Sequence, residues 1–428
     1  MRRRSTTLAI ASLLTFASGA CSETKPPNVP PPTTATAATT TPTQAVPVVP
    51  SASAAASSSL PMTSAADSTA FSWNAYGALR GNRANYVFSG VSLQRALAMA
   101  ALGARGNTKA ELDSVLGRAA SFEPGQDAKG TATLRIANRL WVDEQVKVQA
   151  AYGAAVDKAY HANIVPVPFR SDSEKSRGTI NAWVKDETAG KVTDLLPKGS
   201  VSPTSRLVIT NAVYFKASWS APFSPSSTLD QPFTDEAGKE RLAPMMHKEG
   251  TLRASEIANA KLVELPYKDT DLVMTLLVPN DPKGLRQLEA TLTADTFAAH
   301  VSTLSPKYTK LALPRFSFRV GGKVNEGLQK LGIREAFTQG KADFGAMLEG
   351  TGEPVLIDSV FHDAFIAVDE HGTEAAAATA VVMSVRGMPL GKPFEVRADR
   401  AFLFAIRNPK SGEVLFLGRV GDPAPTQR

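Results

Sequence analysis

Side chains that commonly carry hydrolytic or metal chemistry are few in this sequence and lie far apart. The chain has five histidines among 428 residues, and no two of them are four residues apart, as an HExxH zinc helix requires. It also has no G-x-S-x-G turn and no phosphate-binding P-loop. A Ser-His-Asp triad assembles from distant residues, so a hydrolase with a dispersed triad is one alternative interpretation. The histidines are His161, His247, His300, His362 and His371.

The segment 370–386 (EHGTEAAAATAVVMSVR) has a pattern that suits a change of environment. No charged residue occurs between Glu374 and Arg386, and most side chains there are small. At a period of two residues, Glu374 lies on one face and the other face is small and uncharged. That second face comprises Thr373, Ala375, Ala377, Thr379, Val381 and Met383. Although an alanine-rich helix or a flexible linker is the alternative, the alternation favours an exposed loop that later becomes a buried strand, with Gly372 as its pivot.

This segment resembles the reactive-loop hinge of inhibitory serpins, in which Gly, Thr or Ser, and Glu follow an acidic residue and precede small residues. The resemblance continues through the rest of the domain in the family's order. It implies an α+β fold, the serpin fold, with roughly eight or nine helices and three β-sheets in a single domain, and an exposed reactive-centre loop. The other matching stretches are 88–93 (FSGVSL), 102–108 (LGARGNT), 181–184 (NAWV), 188–192 (TAGKV), 210–216 (TNAVYFK), 244–246 (PMM), 265–267 (LPY), 313–316 (LPRF) and 416–419 (FLGR).

The resemblance also assigns roles to individual residues. Trp219 matches the tryptophan of the breach, which is the point where the loop first enters the main sheet. The shutter is a hydrogen-bonded cluster at the sheet centre, where strands must part, and its matching residues are Ser89, Ser92, Asn211 and His362. The hinge comprises Glu370, Gly372, Thr373, Glu374, Ala375, Ala376, Ala377, Ala378 and Thr379.

By the same resemblance, Arg386 precedes the scissile bond and Gly387 follows it. An exposed arginine suits a protease pocket that contains a buried aspartate, so the implied partner is a trypsin-like serine protease. The protease would form an acyl-enzyme, and insertion of the hinge as a strand would distort its oxyanion hole before hydrolysis. We therefore expect a single-use suicide substrate, not an enzyme, and no cofactor. Met388 is the alternative bait residue, and a non-inhibitory carrier or chaperone is the alternative function.

Two departures from the family pattern affect the expected regulation. Gly90 stands where a proline is common between the two shutter serines, which loosens the start of the helix that follows. Residues 117–130 form a short stretch with Gly and Pro in place of the helix that binds heparin in some members. We therefore expect no heparin-type activation. The chain also lacks a basic stripe with interleaved aromatic residues, so we expect no nucleic-acid partner, and we expect a monomer.

The beginning of the chain has the order of a signal peptide. Three arginines precede the apolar stretch 8–16, and small residues then lead to Cys21. Residues 1–20 resemble a bacterial lipoprotein signal, after which the cysteine is acylated, although Ser18 stands where an aliphatic residue is usual. We expect an exported lipoprotein at the outer membrane or cell surface, and a periplasmic or secreted protein is the alternative. Cys21 is the only cysteine, which excludes an internal disulfide and a cysteine-based metal cluster.

Composition divides the rest of the chain into a tether and one domain. Residues 21–66 are rich in Pro, Thr, Ala and Ser, and they bury too little apolar surface to offset the entropy of ordering. A disordered tether is therefore predicted there, followed by a single domain at 67–424. The formal charge of +7, the 43% of hydrophobic residues and the 20% of charged residues are ordinary for a globular protein.

Local patterns predict the elements that must position the site. Helices are expected at 92–102, 108–116 and 324–331, the second with Thr108 and Glu111 as a capping-box pair. The expected strands are 206–216, 272–278, 401–407 and 414–420, and the turn-like sequence between the last two predicts a hairpin. Helices and strands do not alternate regularly, which favours an α+β fold.

Overall fold

The computed structural model describes residues 65–117, 132–350, 354–374 and 391–423. The signal peptide, Cys21 and nearly all of the tether lie outside these ranges. So do the hinge residues 375–379 and the bond between Arg386 and Gly387. The described residues belong to one compact unit.

Helices and strands follow one another along the described chain without a regular alternation. The helices are α1 (Ala65–Arg80), α2 (Gly90–Gly103), α3 (Gly106–Leu116), α4 (Ala150–Tyr160), α5 (Ser173–Glu187), α6 (Leu285–Thr291), α7 (Ala294–Ser302) and α8 (Asn325–Leu331). The strands are β1 (Tyr86–Phe88), β2 (Thr133–Asp143), β3 (Ile164–Val167), β4 (Leu207–Ser218), β5 (Leu229–Thr234), β6 (Glu240–Ile257), β7 (Ala260–Pro266), β8 (Val273–Pro279), β9 (Ser305–Pro314), β10 (Phe316–Lys323), β11 (Ser359–Val368), β12 (Gly372–Thr373), β13 (Phe394–Arg397), β14 (Phe402–Arg407) and β15 (Val414–Val420). The α+β class is confirmed.

The predicted elements are confirmed with small shifts at their ends. The helix expected at 92–102 is α2, and the Ser89 hydroxyl caps it by accepting a hydrogen bond from the Ser92 amide at 3.3 Å. The helix α3 begins at Gly106, so the expected capping box at Thr108 is wrong. The Thr108 hydroxyl accepts instead from the Asp343 amide, and the Glu111 carboxylate accepts from the amide of Arg334. Both side chains therefore hold distant segments of the chain.

The six-stranded sheet has the order β10-β11-β12-β4-β2-β3 and carries the candidate site. Its centre is covered on both faces. Leu93 and Leu97 of α2 pack in the same core as Ile209 of β4, while Ile180 and Val184 of α5 pack against the opposite face. Because both faces are buried, separating the central strands displaces helices as well as backbone hydrogen bonds.

The remaining strands form one hydrogen-bonded network of nine strands. Within this network, the long strand β6 pairs with β5 over residues 240–245, with β9 over 245–254 and with β7 over 254–257. The hairpin predicted at the end of the chain is confirmed as the antiparallel pair β14 and β15. This network packs against the six-stranded sheet through a core that includes Phe215 and Phe416, whose ring centroids are 5.8 Å apart.

Candidate functional site at the junction of β4 and β11

The two central strands of the six-stranded sheet are joined along one part and separated along another. The strands β4 and β11 pair in parallel from Ser359 opposite Val208 to Phe365 opposite Tyr214. After β11 ends at Val368, the chain reverses direction, and β12 lies between β11 and β4, antiparallel to both. Thr373 pairs with Val368 of β11 on one side and with Ala217 of β4 on the other. Two hinge residues thus already form the start of a central strand.

Thr373 is fully buried at the head of this gap and contacts an aromatic pair. Its hydroxyl is hydrogen-bonded to the Tyr267 hydroxyl at 2.6 Å. The Tyr267 ring stacks on Trp219 with 4.7 Å between centroids, and the Trp219 indole donates to the Asp369 carbonyl at 3.0 Å. Burial raises the pKa of Tyr267, so the phenol stays neutral. In the breach, the stacked rings of Trp219 and Tyr267 therefore pack beneath the hinge, and the indole N–H and the phenol hydroxyl hydrogen-bond to it or to the residue before it.

Glu370 anchors the hinge on the side that precedes the strand. The Arg315 guanidinium donates to both of its carboxylate oxygens at 2.7 and 2.8 Å, and the Thr228 hydroxyl donates to one of them. Burial raises the pKa of Glu370, but the hydrogen bonds from Arg315 and Thr228 outweigh it and hold the pKa below its usual value. The Phe223 amide also donates to the Glu370 carbonyl at 2.8 Å. Glu370 is therefore held in place at the start of the hinge.

Gly372 lies against the backbone of β4. A Cβ atom at this position would stand 2.1 Å from the Ala217 carbonyl oxygen, closer than real contacts allow. Glycine is required here by the close approach of β4, because its φ does not fall in the left-handed region. The absence of a side chain lets the hinge enter the sheet at its tightest point.

Glu374 marks where the strand stops. Its φ of 47° is in the left-handed region, and its amide donates to the Ala367 carbonyl at 2.8 Å. Its carboxylate is 17% exposed and forms an ion pair with Lys191, which follows α5. Burial and the neighbouring Glu374 carboxylate raise the pKa of Tyr214 to about 12. An extended backbone at Glu374, in place of this left-handed one, would be needed for β12 to continue beyond Thr373.

The shutter residues meet where β4 and β11 are still paired. His362 lies opposite Asn211 in the register of the two strands, and its Nδ1 is hydrogen-bonded to the Asn211 amide oxygen. The Asn211 amide nitrogen donates to the Ser92 hydroxyl and to the Asn138 amide oxygen. Ser89 takes part indirectly, by accepting from the Ser92 amide. The structure thus brings the four predicted shutter residues together and adds Asn138.

Burial strongly affects the protonation of His362. It lowers the pKa of the imidazole to about 3, since the ring is enclosed by the sheet and the edge of Phe88. His362 is therefore neutral at physiological pH, and Nδ1 must carry the proton that it donates to Asn211. A protonated ring would lose no hydrogen bond to Asn211 but would place an uncompensated charge in the core.

A pH titration of stability should report this burial. Because the folded pKa of His362 lies below the unfolded value of about 6.5, protons bind preferentially to the unfolded chain. The contribution of His362 is therefore fully present above pH ~6.5 and is lost as pH falls toward 3, by up to about 1.4 kcal/mol per pH unit. The difference in unfolding free energy between the wild type and His362→Gln, measured by urea denaturation, should shrink over this range. A difference that stays constant between pH 7 and 4.5 would contradict the assignment.

Asp363, the residue after His362, has the opposite effect on the pH dependence of stability, so the unfolding free energy of the wild type alone does not isolate His362. Burial raises the pKa of Asp363 to about 6, in spite of the Arg319 guanidinium that donates to both carboxylate oxygens at 2.9 Å. That carboxyl favours the folded state as pH falls through 6. Comparing the wild type with His362→Gln cancels this contribution.

Three residues complete the site but have no role in the sequence-based assignment. Tyr267 and Arg315 lie within the matching stretches 265–267 and 313–316, so the resemblance carried a signal for them. Asn138 had no local signal, because its position opposite Asn211 follows from the pairing of β2 with β4.

The described residues contain no cluster of three or more potential metal ligands, and none of their helices is long and apolar enough to cross a bilayer.

Comparison with known proteins agrees with this geometry. The family model described as Serpin (serine protease inhibitor) matches residues 66–423. Serpin B6 from Macaca fascicularis is 35% identical over 359 residues, which cover 80% of this chain and 94% of that protein. Leukocyte elastase inhibitor from Homo sapiens is 32% identical over 376 residues, which cover 83% of this chain and 98% of that protein. The solved structure of the thermophilic serpin tengpin in its native state matches with a TM-score of 0.77 and 27% identity, over 84% of this chain and 94% of that one.

Proposed function

The chain belongs to the serpin family, whose members are in general serine protease inhibitors, and we propose that it is an inhibitory serpin that traps a trypsin-like serine protease. The observation that carries this proposal is the position of β12. Gly372 and Thr373 lie between β4 and β11, and after Glu374 follows the mostly small, uncharged run 375–385 that leads to Arg386. Because β12 already lies between β4 and β11, the residues that follow it would enter the sheet between the same two strands.

The proposed reaction begins as ordinary proteolysis. The protease serine attacks the Arg386 carbonyl carbon, an ester bond forms, and the C–N bond to Gly387 breaks as the leaving amine takes up the proton. Residues before Arg386 then carry the attached protease with them. Inhibition requires the ester to outlast the movement, because distortion of the protease oxyanion hole removes the groups that stabilise hydrolysis.

Insertion of the hinge extends β12 along the gap between β4 and β11. Each inserted residue pairs with both neighbours, whereas the paired region from Ser359 to Phe365 must first separate from β4. The hydrogen bond between the side chains of Asn211 and His362 lies within that paired region and opposes the separation of β4 and β11. The small side chains of the hinge suit a sheet that is covered on both faces, since larger ones would displace α2 or α5.

Incubation with trypsin followed by a denaturing gel tests this proposal. We expect a band that contains both proteins and survives boiling, since the trapped species is an ester. A chain that is only nicked, with trypsin left active, would instead indicate a non-inhibitory serpin. Turnover of a peptide or ester substrate by the chain alone would indicate a hydrolase.

We propose further that the protein is an exported lipoprotein held at the membrane through Cys21. The single cysteine follows the signal-like residues 1–20, and residues 21–66 offer a polar spacer between the anchor and the domain. An acylated cysteine with more than one chain binds firmly, since a single acyl chain binds only marginally. The spacer would leave the inhibitory loop accessible to proteases outside the cell.

Replacement of Cys21 by serine should release the protein from the membrane. The acyl anchor cannot form on serine, so we expect the variant in the soluble fraction after cell fractionation. Trapping of trypsin should be unchanged, because the residue lies far outside the matched domain. Retention of Cys21→Ser in the membrane pellet would contradict the anchor without affecting the inhibitory proposal.

A further inference from the structure

The segment that follows α5, residues 188–196, crosses the face of the six-stranded sheet opposite α2, and we call it the crossing segment. Its Val192 is fully buried in one apolar cluster with Ala212 of β4 and Phe361 of β11. The crossing segment therefore covers both of the strands that must separate before the hinge can enter the sheet.

The end of the crossing segment is fastened to α5 by several hydrogen bonds. The Asn181 amide nitrogen donates to the Asp194 carboxylate and to the Leu196 carbonyl, both at 2.9 Å. The Asn181 amide oxygen accepts from the Leu196 amide at 2.8 Å, and the Arg177 guanidinium donates to the Leu196 carbonyl at 3.0 Å. Asp194 and Leu196 are thus held to the helix.

The helix α5 is attached in turn to β2, and through β2 to β4. The Arg139 guanidinium of β2 lies over the Trp183 ring of α5, with 4.0 Å from Cζ to the ring centroid. Trp141 of β2 meets the same ring edge-on at 5.4 Å, and its indole donates to the Thr210 hydroxyl of β4 at 2.9 Å. Because β2 also pairs with β4 over ten residues, α5 and the crossing segment should stay with β4 when β4 leaves β11.

Arg319 of β10 binds the crossing segment from the other side of the gap. Its Nη2 donates to the Asp194 carbonyl at 3.1 Å, and its Nε donates to both carboxylate oxygens of Asp363 at 2.9 Å. The Asp363 side chain is 2% exposed and occupies the space left by Gly321, where a Cβ atom would stand 1.9 Å from a carboxylate oxygen. The buried carboxylate therefore holds the Arg319 guanidinium beside the crossing segment.

A strand inserted between β4 and β11 must break the contact between Arg319 and Asp194. Neighbouring strands lie about 4.8 Å apart, so insertion moves β11 and β10 away from β4 by about that distance. A hydrogen bond is lost when its partners move so far apart, whereas apolar contacts are not directional and can shift. The several hydrogen bonds to α5 make the contact with Arg319 the one that yields.

We propose that Arg319 is a positioning residue that opposes the separation of β4 and β11 on the α5 face of the sheet. The hydrogen bond between Asn211 and His362 does the same on the α2 face. The inference rests on the proposed inhibitory function, because it concerns the rate at which the hinge inserts. Loss of the hydrogen bond to Asp194 belongs to the insertion barrier, so insertion is faster without it.

The variant Arg319→Lys isolates this contact. Lysine keeps a positive charge beside Asp363 but has no second nitrogen to donate to the Asp194 carbonyl. We expect insertion to be roughly three- to tenfold faster, as for the loss of one hydrogen bond before the transition state. Arg334→Lys is the matched control, since Arg334 is exposed and lies outside the six-stranded sheet, and its insertion rate should equal that of the wild type.

Stopped-flow fluorescence measures the insertion rate directly. The full chain with Cys21→Ser and Ser384→Cys has one thiol, which carries an environment-sensitive dye, and it is mixed with saturating trypsin. An unchanged or slower rate in Arg319→Lys, or equal acceleration in Arg334→Lys, would overturn the proposal. If the wild type gave neither a dye signal nor a covalent band, the proposed inhibitory function would itself be wrong. A wild type that traps trypsin, beside Arg319→Lys at the same rate, rejects this inference alone.

Denaturation of the uncut and the cleaved forms separates this role from general support of the fold. After insertion, the contact between Arg319 and Asp194 is already broken. Arg319→Lys should therefore lower the guanidinium chloride midpoint of the uncut form and leave that of the cleaved form unchanged. Equal lowering of both midpoints would mean that Arg319 only stabilises the fold, and the proposal would be rejected.

Discussion

Replacement of Arg386 by alanine is expected to slow the capture of a trypsin-like protease by about 10²- to 10⁴-fold. A trypsin-type pocket holds a buried aspartate, and removal of one partner of a buried ion pair costs about 3–5 kcal/mol. Stopped-flow measurement of the second-order rate of trypsin inhibition gives the comparison. Arg386→Lys is the matched control, because it retains the charge and should retain most of the rate.

Insertion of the hinge should trap a protease equally well when another residue precedes the scissile bond. Arg386→Phe should redirect the inhibitor towards chymotrypsin-like pockets, since the residues from Glu370 to Thr379 are unchanged. Mass spectrometry of the C-terminal fragment released by trypsin identifies the cleaved bond directly, and we expect a fragment that begins at Gly387. A fragment that begins elsewhere would show that the bait residue is misassigned, even in a serpin that traps proteases.

Replacement of Thr373 by arginine should convert the inhibitor into a substrate. Thr373 is fully buried between β4 and β11, with its hydroxyl hydrogen-bonded to the hydroxyl of Tyr267. Burial of an unpaired guanidinium costs several kcal/mol, and ~1.4 kcal/mol in the insertion barrier already slows insertion tenfold. Hydrolysis of the acyl-enzyme would then precede trapping. We expect cleavage at the loop to continue while most of the covalent band disappears.

The control for this variant is Thr373→Ser, which keeps the hydroxyl that contacts Tyr267. It should trap trypsin with the stoichiometry of the wild type. If Thr373→Arg also traps trypsin with unchanged stoichiometry, insertion along β12 is not the route of inhibition. Loss of both cleavage and trapping in Thr373→Arg, with Thr373→Ser intact, would instead mean that the loop is no longer presented to the protease.

Local sequence determined several of the individual elements. The apolar repeat at 92–102 predicted α2, and the β-rich runs at 206–216 and 414–420 predicted β4 and β15 within two residues of their observed limits. These patterns suffice because helix and strand periodicities place apolar side chains on a buried face whatever the partner. The residue types alone likewise predict the small, uncharged face of the hinge.

Only the tertiary structure decided how distant elements meet. Asn211 and His362 are 151 residues apart in the chain, and their hydrogen bond follows from the parallel register of β4 and β11. The same holds for the contact of Asn138 with Asn211 and for the ion pair between Lys191 and Glu374. No local pattern encodes these contacts, because they depend on which strands lie adjacent and in which register. That arrangement is set by burial of the whole sheet, and a shift of one residue would turn every one of these side chains to the other face.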